Sequence, residues 1–263
     1  MDWLHAIAGL FVGVMVGMTG VGGGSLMAPI LILLFGVSPT TAVGTDLWFA
    51  AITKSVGGFV HHHHGGAEGR PDYEVIKRLC LGSLPAAVIV LIFLSQIDAQ
   101  QIKGGLIMNA LGVVLILTAV ATLFRGRFHH MAVHARKDTA HNFLRYQAGL
   151  TVTAGALLGA MVTLTSVGAG ALGATLLLAL YPLRMRLQKL IATDIVHAVP
   201  LTLVAGLGHL FIGNFNLLLL LNLLAGSIPG IIIGSMLASK VPEKMLQPLL
   251  ACVLVVAGWR LLG

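Results

Sequence analysis

Ten apolar segments follow one another along the chain, separated by short polar or basic stretches. They fall five and five on either side of a basic stretch, at 3–18, 25–36, 42–60, 79–95, 104–123, 147–165, 170–181, 190–211, 217–238 and 246–262. Most have about the 20 residues that an α-helix needs to cross a hydrocarbon core of about 30 Å. The pattern predicts an all-α integral membrane protein.

The second segment of each half is short. A helix over 25–36 or 170–181 would rise only about 18 Å, too little to cross the membrane. A glycine cluster precedes each of them. We therefore expect each first pair of segments to form a re-entrant helical hairpin, with its glycine-rich tip buried in protein or beside a watery cavity.

The two halves are related in sequence. Four stretches of the first half recur in the same order in the second: Gly13–Gly24 with Gly159–Gly170, Thr45–Asp46 with Thr193–Asp194, His61 with His209, and Gly82–Pro85 with Gly226–Pro229. They predict two membrane repeats, 1–124 and 147–263, joined by a basic cytoplasmic linker at 125–146. Each would be a re-entrant hairpin plus three transmembrane helices, and an odd number of crossings would invert one relative to the other. Secondary transporters often have this plan, and channels share it.

The basic residues support this topology. Of the 16 Lys and Arg residues, 13 lie in the loops 61–78, 124–146, 182–189 and 239–245, which the hairpin topology places on one face. The positive-inside rule makes that face cytoplasmic and both termini periplasmic in a bacterial inner membrane. With 57% hydrophobic and 10% charged residues, a soluble domain is excluded. The net charge of +7 comes without an aromatic and basic platform, so no nucleic-acid partner is predicted.

The hairpin tips are candidate anion sites. Free N–H groups and the positive end of a helix dipole can bind an anion there, although glycines also serve tight turns and close packing. The residues assigned to substrate binding at the tips are Thr19, Gly22, Gly23, Gly24, Ser25, Thr165, Ser166, Gly168 and Gly170.

Charged side chains inside apolar segments are the other candidates. Lys54 is expensive in a membrane unless it has a partner, so we assign it to the substrate or a gate; the alternatives are snorkelling and a structural pair with Asp46 on the same helix face. Asp46 and Asp194, each preceded by a threonine (Thr45 and Thr193), would either cap N–H groups or couple a proton. These four residues and His197 are also included in the predicted substrate-binding set. His197 would either titrate or pack as a hydrogen-bonded core residue.

Other chemistry is not predicted. His61–His64 and the histidines of the linker have no defined metal spacing, so a solvated loop is the preferred reading and no metal site or cofactor is assigned. Cys80 and Cys252 lie in apolar stretches and indicate neither a disulfide nor a metal site. A nucleophile and base constellation and a P-loop are both missing from the sequence, so an enzyme is not predicted.

The stretch GMTGVGGGSLMAPIL (Gly17–Leu31), the following AVGTDL (Ala42–Leu47) and their weaker second copy resemble the TauE/SafE sulfite exporter family of bacterial membrane transporters. The second copy departs from the motif, with Ala169 for the middle glycine and Thr175 for Pro29. The resemblance implies a secondary transporter, an exporter of sulfite, sulfoacetate or a related anion by alternating access. Its expected partners are that anion, the lipid bilayer, a coupling proton or ion, and a second copy in a homodimer. A divalent metal permease using the histidine loops, a channel and a membrane sensor remain the alternatives.

Overall fold

The computed structural model describes residues 3–19, 24–64, 70–97, 105–182, 184–185, 187–237 and 243–263. All regular structure in these residues is helical. The ten helices are α1 (Trp3–Thr19), α2 (Gly24–Leu33), α3 (Pro39–His64), α4 (Tyr73–Gln96), α5 (Ile107–Leu123), α6 (Arg125–Thr165), α7 (Ala171–Leu180), α8 (Leu187–Ile212), α9 (Leu217–Leu237) and α10 (Glu243–Leu262). The predicted all-α membrane fold is confirmed.

Helix length separates spanning from shorter elements. In the described residues, four stretches are long and apolar enough to cross a membrane: Tyr73–Gln96, Tyr146–Thr165, Gln188–Ile212 and Leu217–Leu237. Helices α2 and α7 have 10 residues each, so each rises only about 15 Å. The two short helices coincide with the segments 25–36 and 170–181, which the sequence placed second in the two hairpins.

The stretch treated as a linker loop at 125–146 is helical. It forms the first half of α6, which runs without a break for 41 residues to Thr165. Polar and basic residues therefore continue the helix beyond its apolar part. Helix α3 likewise extends through His61–His64, which the sequence had placed in a loop.

Helices α1 and α9 touch backbone to backbone. A methyl group at Gly13 would lie 2.4 Å from the carbonyl oxygen of Ser227, and one at Gly226 would lie 1.7 Å from that of Ala6. Neither position tolerates a side chain while the helices stay at this separation. Small residues allow such close packing between membrane helices.

Helices α4 and α6 make the corresponding contact. A methyl group at Gly159 would lie 2.2 Å from the carbonyl oxygen of Ser83, and one at Gly82 would lie 1.9 Å from that of Val152. In each contact, a helix from one half of the chain packs against a helix from the other half. The two halves are therefore interlocked rather than laid side by side.

The surface of the bundle is apolar. Leu81, Phe211 and Trp259 are 68%, 86% and 74% exposed, whereas Asp46, Lys54 and Asp194 are buried. Lipid tails can solvate such a surface and water cannot. The interior therefore holds the groups that could bind an ion.

Candidate functional site

Lys54 reaches from α3 to the second hairpin. Its side chain is 3% exposed, and its ammonium donates a hydrogen bond of 2.5 Å to the backbone carbonyl of Ala169. Ala169 lies in the turn between α6 and α7, so a cation from the first half of the chain sits against the hairpin tip of the second. The predicted pairing with Asp46 on the same helix is not a direct contact of the ammonium.

The hairpin tip has a backbone that few residues can adopt. Helix α6 ends where Ser166 takes a left-handed conformation with φ of 59°, and Gly168 and Gly170 follow with φ of 113° and 140°. Both glycines are needed because a side chain would strain such angles. The Thr165 hydroxyl stabilises the turn, since it accepts a bond of 3.1 Å from the Val167 N–H and donates one of 2.6 Å to the Met161 carbonyl.

Backbone donors remain available at this tip. Inside helix α7 the first paired N–H groups are those of Gly173 and Ala174, which bond to the carbonyls of Gly168 and Gly170. Within the described part of the chain, the N–H groups of residues 168–172 donate no hydrogen bond. These groups and the positive end of α7 favour negative charge.

Asp194 faces the same hairpin from α8. One carboxylate oxygen occupies the place that a side chain would take at Gly173, 2.0 Å from the position of a methyl group there. The charges of Lys54 and Arg125 both act on this carboxylate. Arg125, which the sequence placed in a loop, is 7% exposed.

Asp46, the equivalent residue of the first half, has a different environment. It is fully buried, and its carboxylate lies beside the Ser166 hydroxyl and the backbone amide of Ala28 on α2. Neither carboxylate oxygen has a hydrogen-bond partner in hydrogen-bonding geometry among the described residues, and the same holds for the Ser166 hydroxyl. Two polar groups from opposite halves thus meet unpaired in the interior.

The threonines before the two aspartates accept hydrogen bonds from backbone N–H groups at the starts of other helices. The Thr45 hydroxyl accepts a bond of 3.2 Å from the N–H of Asn216, just before α9. The Thr193 hydroxyl accepts one of 3.0 Å from the N–H of Asp72, just before α4. Both hydroxyls are therefore engaged in helix capping; their assignment to substrate stays a prediction.

The two buried histidines of α8 each bond to another helix. His197 lies 2.9 Å from the Ser83 hydroxyl through Nε2, and His209 lies 2.9 Å from the Thr163 carbonyl through Nε2. His197 is also within range of the Lys54 charge. It therefore belongs to the polar interior, whereas His209 joins α8 to α6.

An ion-pair cluster closes the end of the bundle where α4 begins. The Asp72 carboxylate pairs with Arg184 at 3.1 Å and with Lys189 at 3.0 Å. Partial burial raises the pKa of Asp72, but the hydrogen bond to Lys189 and the charges of Arg184 and Lys189 outweigh it, so its pKa lies below the ordinary value. Asp72, Arg184 and Lys189 therefore lie at the same end of the bundle; the cytoplasmic placement of this end stays a prediction.

The described structure brings together only part of the predicted set. Lys54, Asp46, Asp194, His197 and Ser166 share one buried polar region with the second hairpin tip. Gly22 and Gly23 lie outside the described residues, as do the side chains of Thr19 and Ser25 and those of His61–His64; Gly24 is described only as the first residue of α2.

Other residues of this region were missed in the sequence. Gly173, Ser83 and the carbonyl of Ala169 contact the polar side chains directly. Ser83 could have been found, because it lies in the repeated Gly-Ser-x-Pro stretch. The Ala169 carbonyl carries no sequence signal.

A family model and two relatives match nearly the whole chain. The family described as Sulfite exporter TauE/SafE matches residues 5–261. The chain is similar to the probable membrane transporter protein YjnA of Bacillus subtilis (strain 168), at 36% identity over 97% of this chain and 98% of the relative. It is also similar to the probable membrane transporter protein YdhB of the same organism, at 23% identity over 95% of this chain and 96% of the relative. No solved structure matches.

Proposed function

The chain belongs to the sulfite exporter TauE/SafE family, and we propose that it is a secondary transporter that exports a small anion, such as sulfite or sulfoacetate. The membership itself makes it a membrane transporter. The substrate class, the direction and an alternating-access mechanism are the parts that we add. Contacts of the described residues support the substrate class and the mechanism, and the family's description as sulfite exporters supports the direction.

One observation carries the substrate class. The buried ammonium of Lys54 sits at a hairpin tip whose N–H groups at 168–172 are unpaired in the described structure. A cation and several convergent N–H groups suit an anion, because each gives a charge-assisted hydrogen bond. An incoming anion would replace the Ala169 carbonyl as the partner of Lys54.

The repeated helix contacts support alternating access. Gly13 of the first half contacts Ser227 of the second, and Gly159 of the second half contacts Ser83 of the first. The same contact is therefore made twice, with the roles of the two halves reversed. Inverted repeats that interlock in this way can exchange conformations, so that a central site opens first to one side and then to the other. We place the basic side of the protein in the cytoplasm of a bacterial inner membrane by the positive-inside rule, which leaves both termini outside.

Counterflow in proteoliposomes tests this function. We expect radiolabelled sulfite and sulfoacetate to enter vesicles preloaded with the same anion, with saturation, and not vesicles without protein. The variant Lys54→Gln should weaken the apparent affinity by at least about tenfold, because a hydrogen bond to a charged group contributes about 1.5–3 kcal/mol. Lys54→Arg should retain binding with altered selectivity, since guanidinium and ammonium differ in shape and hydration.

Two results would contradict the proposal. Linear, non-saturating flux would indicate a channel instead of a carrier. Unchanged affinity in Lys54→Gln would remove Lys54 from the anion site. The exposed Ser95→Ala variant on α4 serves as the control for expression and reconstitution.

A further inference from the structure

We propose that Asp46 is the site at which the transporter binds and releases a coupling proton, which travels in the same direction as the anion. The proposal rests on the proposed anion transport but not on its direction, since the same coupling operates both ways.

Burial and missing hydrogen bonds single out Asp46. The residue is fully buried, and neither carboxylate oxygen has a hydrogen-bond partner among the described residues. An ionised carboxylate in such a place is expensive, and a neutral acid is far cheaper. The neighbouring Ser166 hydroxyl is also buried and has no partner in hydrogen-bonding geometry among the described residues; it can accept a bond from the protonated acid and donate one to the carboxylate.

Few charged groups surround Asp46. Of the helices that pack on α3, α2 and α9 contain no titratable residue, and Tyr146 is the one such residue in the apolar part of α6. Helix α8 brings Lys189, Asp194, His197 and His209. Among the described residues, Lys54 is the charged side chain that acts on Asp46. Asp194 in turn acts on Lys54 more strongly than Asp46 does.

The same surroundings favour a proton over a metal cation. The ammonium of Lys54 repels a metal ion, whereas proton binding only converts the carboxylate to a neutral acid. In the proposed step one O–H bond forms on Asp46 from a proton of the water on one side, and it breaks to water on the other side. While the proton is bound, Asp46 no longer offsets the charge of Lys54, so anion binding strengthens. The proton and the anion therefore move together.

The test separates driven transport from exchange. Proteoliposomes with a clamped membrane potential are given labelled sulfoacetate, whose acid groups stay ionised across the neutral pH range. With an acidic exterior, the wild type should accumulate sulfoacetate up to about tenfold per pH unit of gradient, if one proton accompanies each anion. Asp46→Asn mimics the neutral acid, so it should retain saturable counterflow with an anion affinity that no longer depends on pH, and lose proton-driven accumulation. Asp46→Glu should retain accumulation with a shifted pH dependence.

The remaining outcomes contradict the proposal in distinguishable ways. Wild-type protein without counterflow would overturn the anion function itself. Counterflow without proton-driven accumulation would overturn only the coupling, as would accumulation that persists in Asp46→Asn or that requires sodium at constant pH. Accumulation driven by an acidic interior would mean that proton and anion move in opposite directions. If Asp46→Asn does not fold, Asp46→Glu decides, because an unchanged pH dependence there would exclude Asp46.

Discussion

The two Thr-Asp pairs occupy corresponding places in the sequences of the two halves, but their carboxylates have different neighbours. Asp194 lies against Gly173 with the charges of Lys54 and Arg125 acting on it. Asp46 has the Ser166 hydroxyl and the Ala28 amide beside it and no hydrogen bond among the described residues. The two carboxylates thus correspond in sequence but differ in surroundings, because Lys54 and Arg125 act on Asp194 and Lys54 acts on Asp46.

One sequence difference between the halves is a lysine that only the first half has at this position. The offset of 148 residues that relates Asp46 to Asp194 relates Lys54 to Thr202. Thr202 is buried and donates its hydroxyl to the Ala198 carbonyl, 2.8 Å away. The second half therefore has no cation at this position, and the lysine of the first half acts on the carboxylate of the second.

The largest expected effect comes from removing Asp194. Asp194→Asn should lower the free energy of unfolding by about 3–5 kcal/mol, because it leaves a buried ammonium without its main compensating charge. Asp46→Asn should change it by less than about 1 kcal/mol, since no hydrogen bond is lost. Unfolding by SDS in mixed micelles measures both.

A double variant is the control for this comparison. Lys54→Gln combined with Asp194→Asn should recover most of the stability, since the two changes remove both charges. Combining Lys54→Gln with Asp46→Asn should give no comparable recovery. Equal losses for the two aspartate variants would show that the carboxylates are compensated alike.

A smaller effect should be equal in the two halves. Gly13→Ala and Gly159→Ala each place a methyl group against a backbone carbonyl oxygen, at 2.4 and 2.2 Å. We expect each to cost about 1–3 kcal/mol in the same unfolding measurement, because the helices must separate.

Gly149→Ala is the matched control on α6, since a methyl group there meets nothing within 4 Å. It should be neutral or stabilising by up to about 1 kcal/mol, as alanine favours helix. If Gly159→Ala were as stable as Gly149→Ala, the close approach of α4 and α6 would be wrong.

Helix positions could be read from the sequence better than contacts could. Apolar block length placed α1 within a residue of its observed end and identified α2 and α7 as short. The partner of Lys54 could not be read, because a backbone carbonyl has no sequence signal and Ala169 is 115 residues away. The same-helix spacing offered Asp46 as one alternative partner, whereas the packing of α3 on the second hairpin places the ammonium on the Ala169 carbonyl.

The smallest expected effect concerns the N-termini of α4 and α9, where Thr193 and Thr45 accept hydrogen bonds from the N–H groups of Asp72 and Asn216. Asp72 and Asn216 occupy equivalent positions, and their side chains accept bonds from Val75 and Leu219 N–H groups at 3.4 and 3.0 Å. Only Asp72 adds ion pairs, with Arg184 and Lys189. The positions equivalent to those two cations in the first half are Gly36 and Thr41, which are uncharged.

Asp72→Asn should keep the helix cap and lose the ion pairs, at a cost of about 0.5–1 kcal/mol, because Arg184 and Lys189 are 43% and 33% exposed and solvent screens them. The pKa of Asp72 is lowered in the folded protein, so this contribution is complete above the ordinary value of about 4 and is lost as the pH falls through the lowered one. The difference in stability between wild type and Asp72→Asn should therefore be constant near neutral pH, shrink below about pH 4, and weaken with added salt.

Asn216→Asp is the control and should gain no stability at any pH, because no cation is supplied at Gly36 or Thr41. A stabilised Asn216→Asp, or a difference for Asp72→Asn that does not depend on pH, would show that charge does not distinguish the two ends of the bundle.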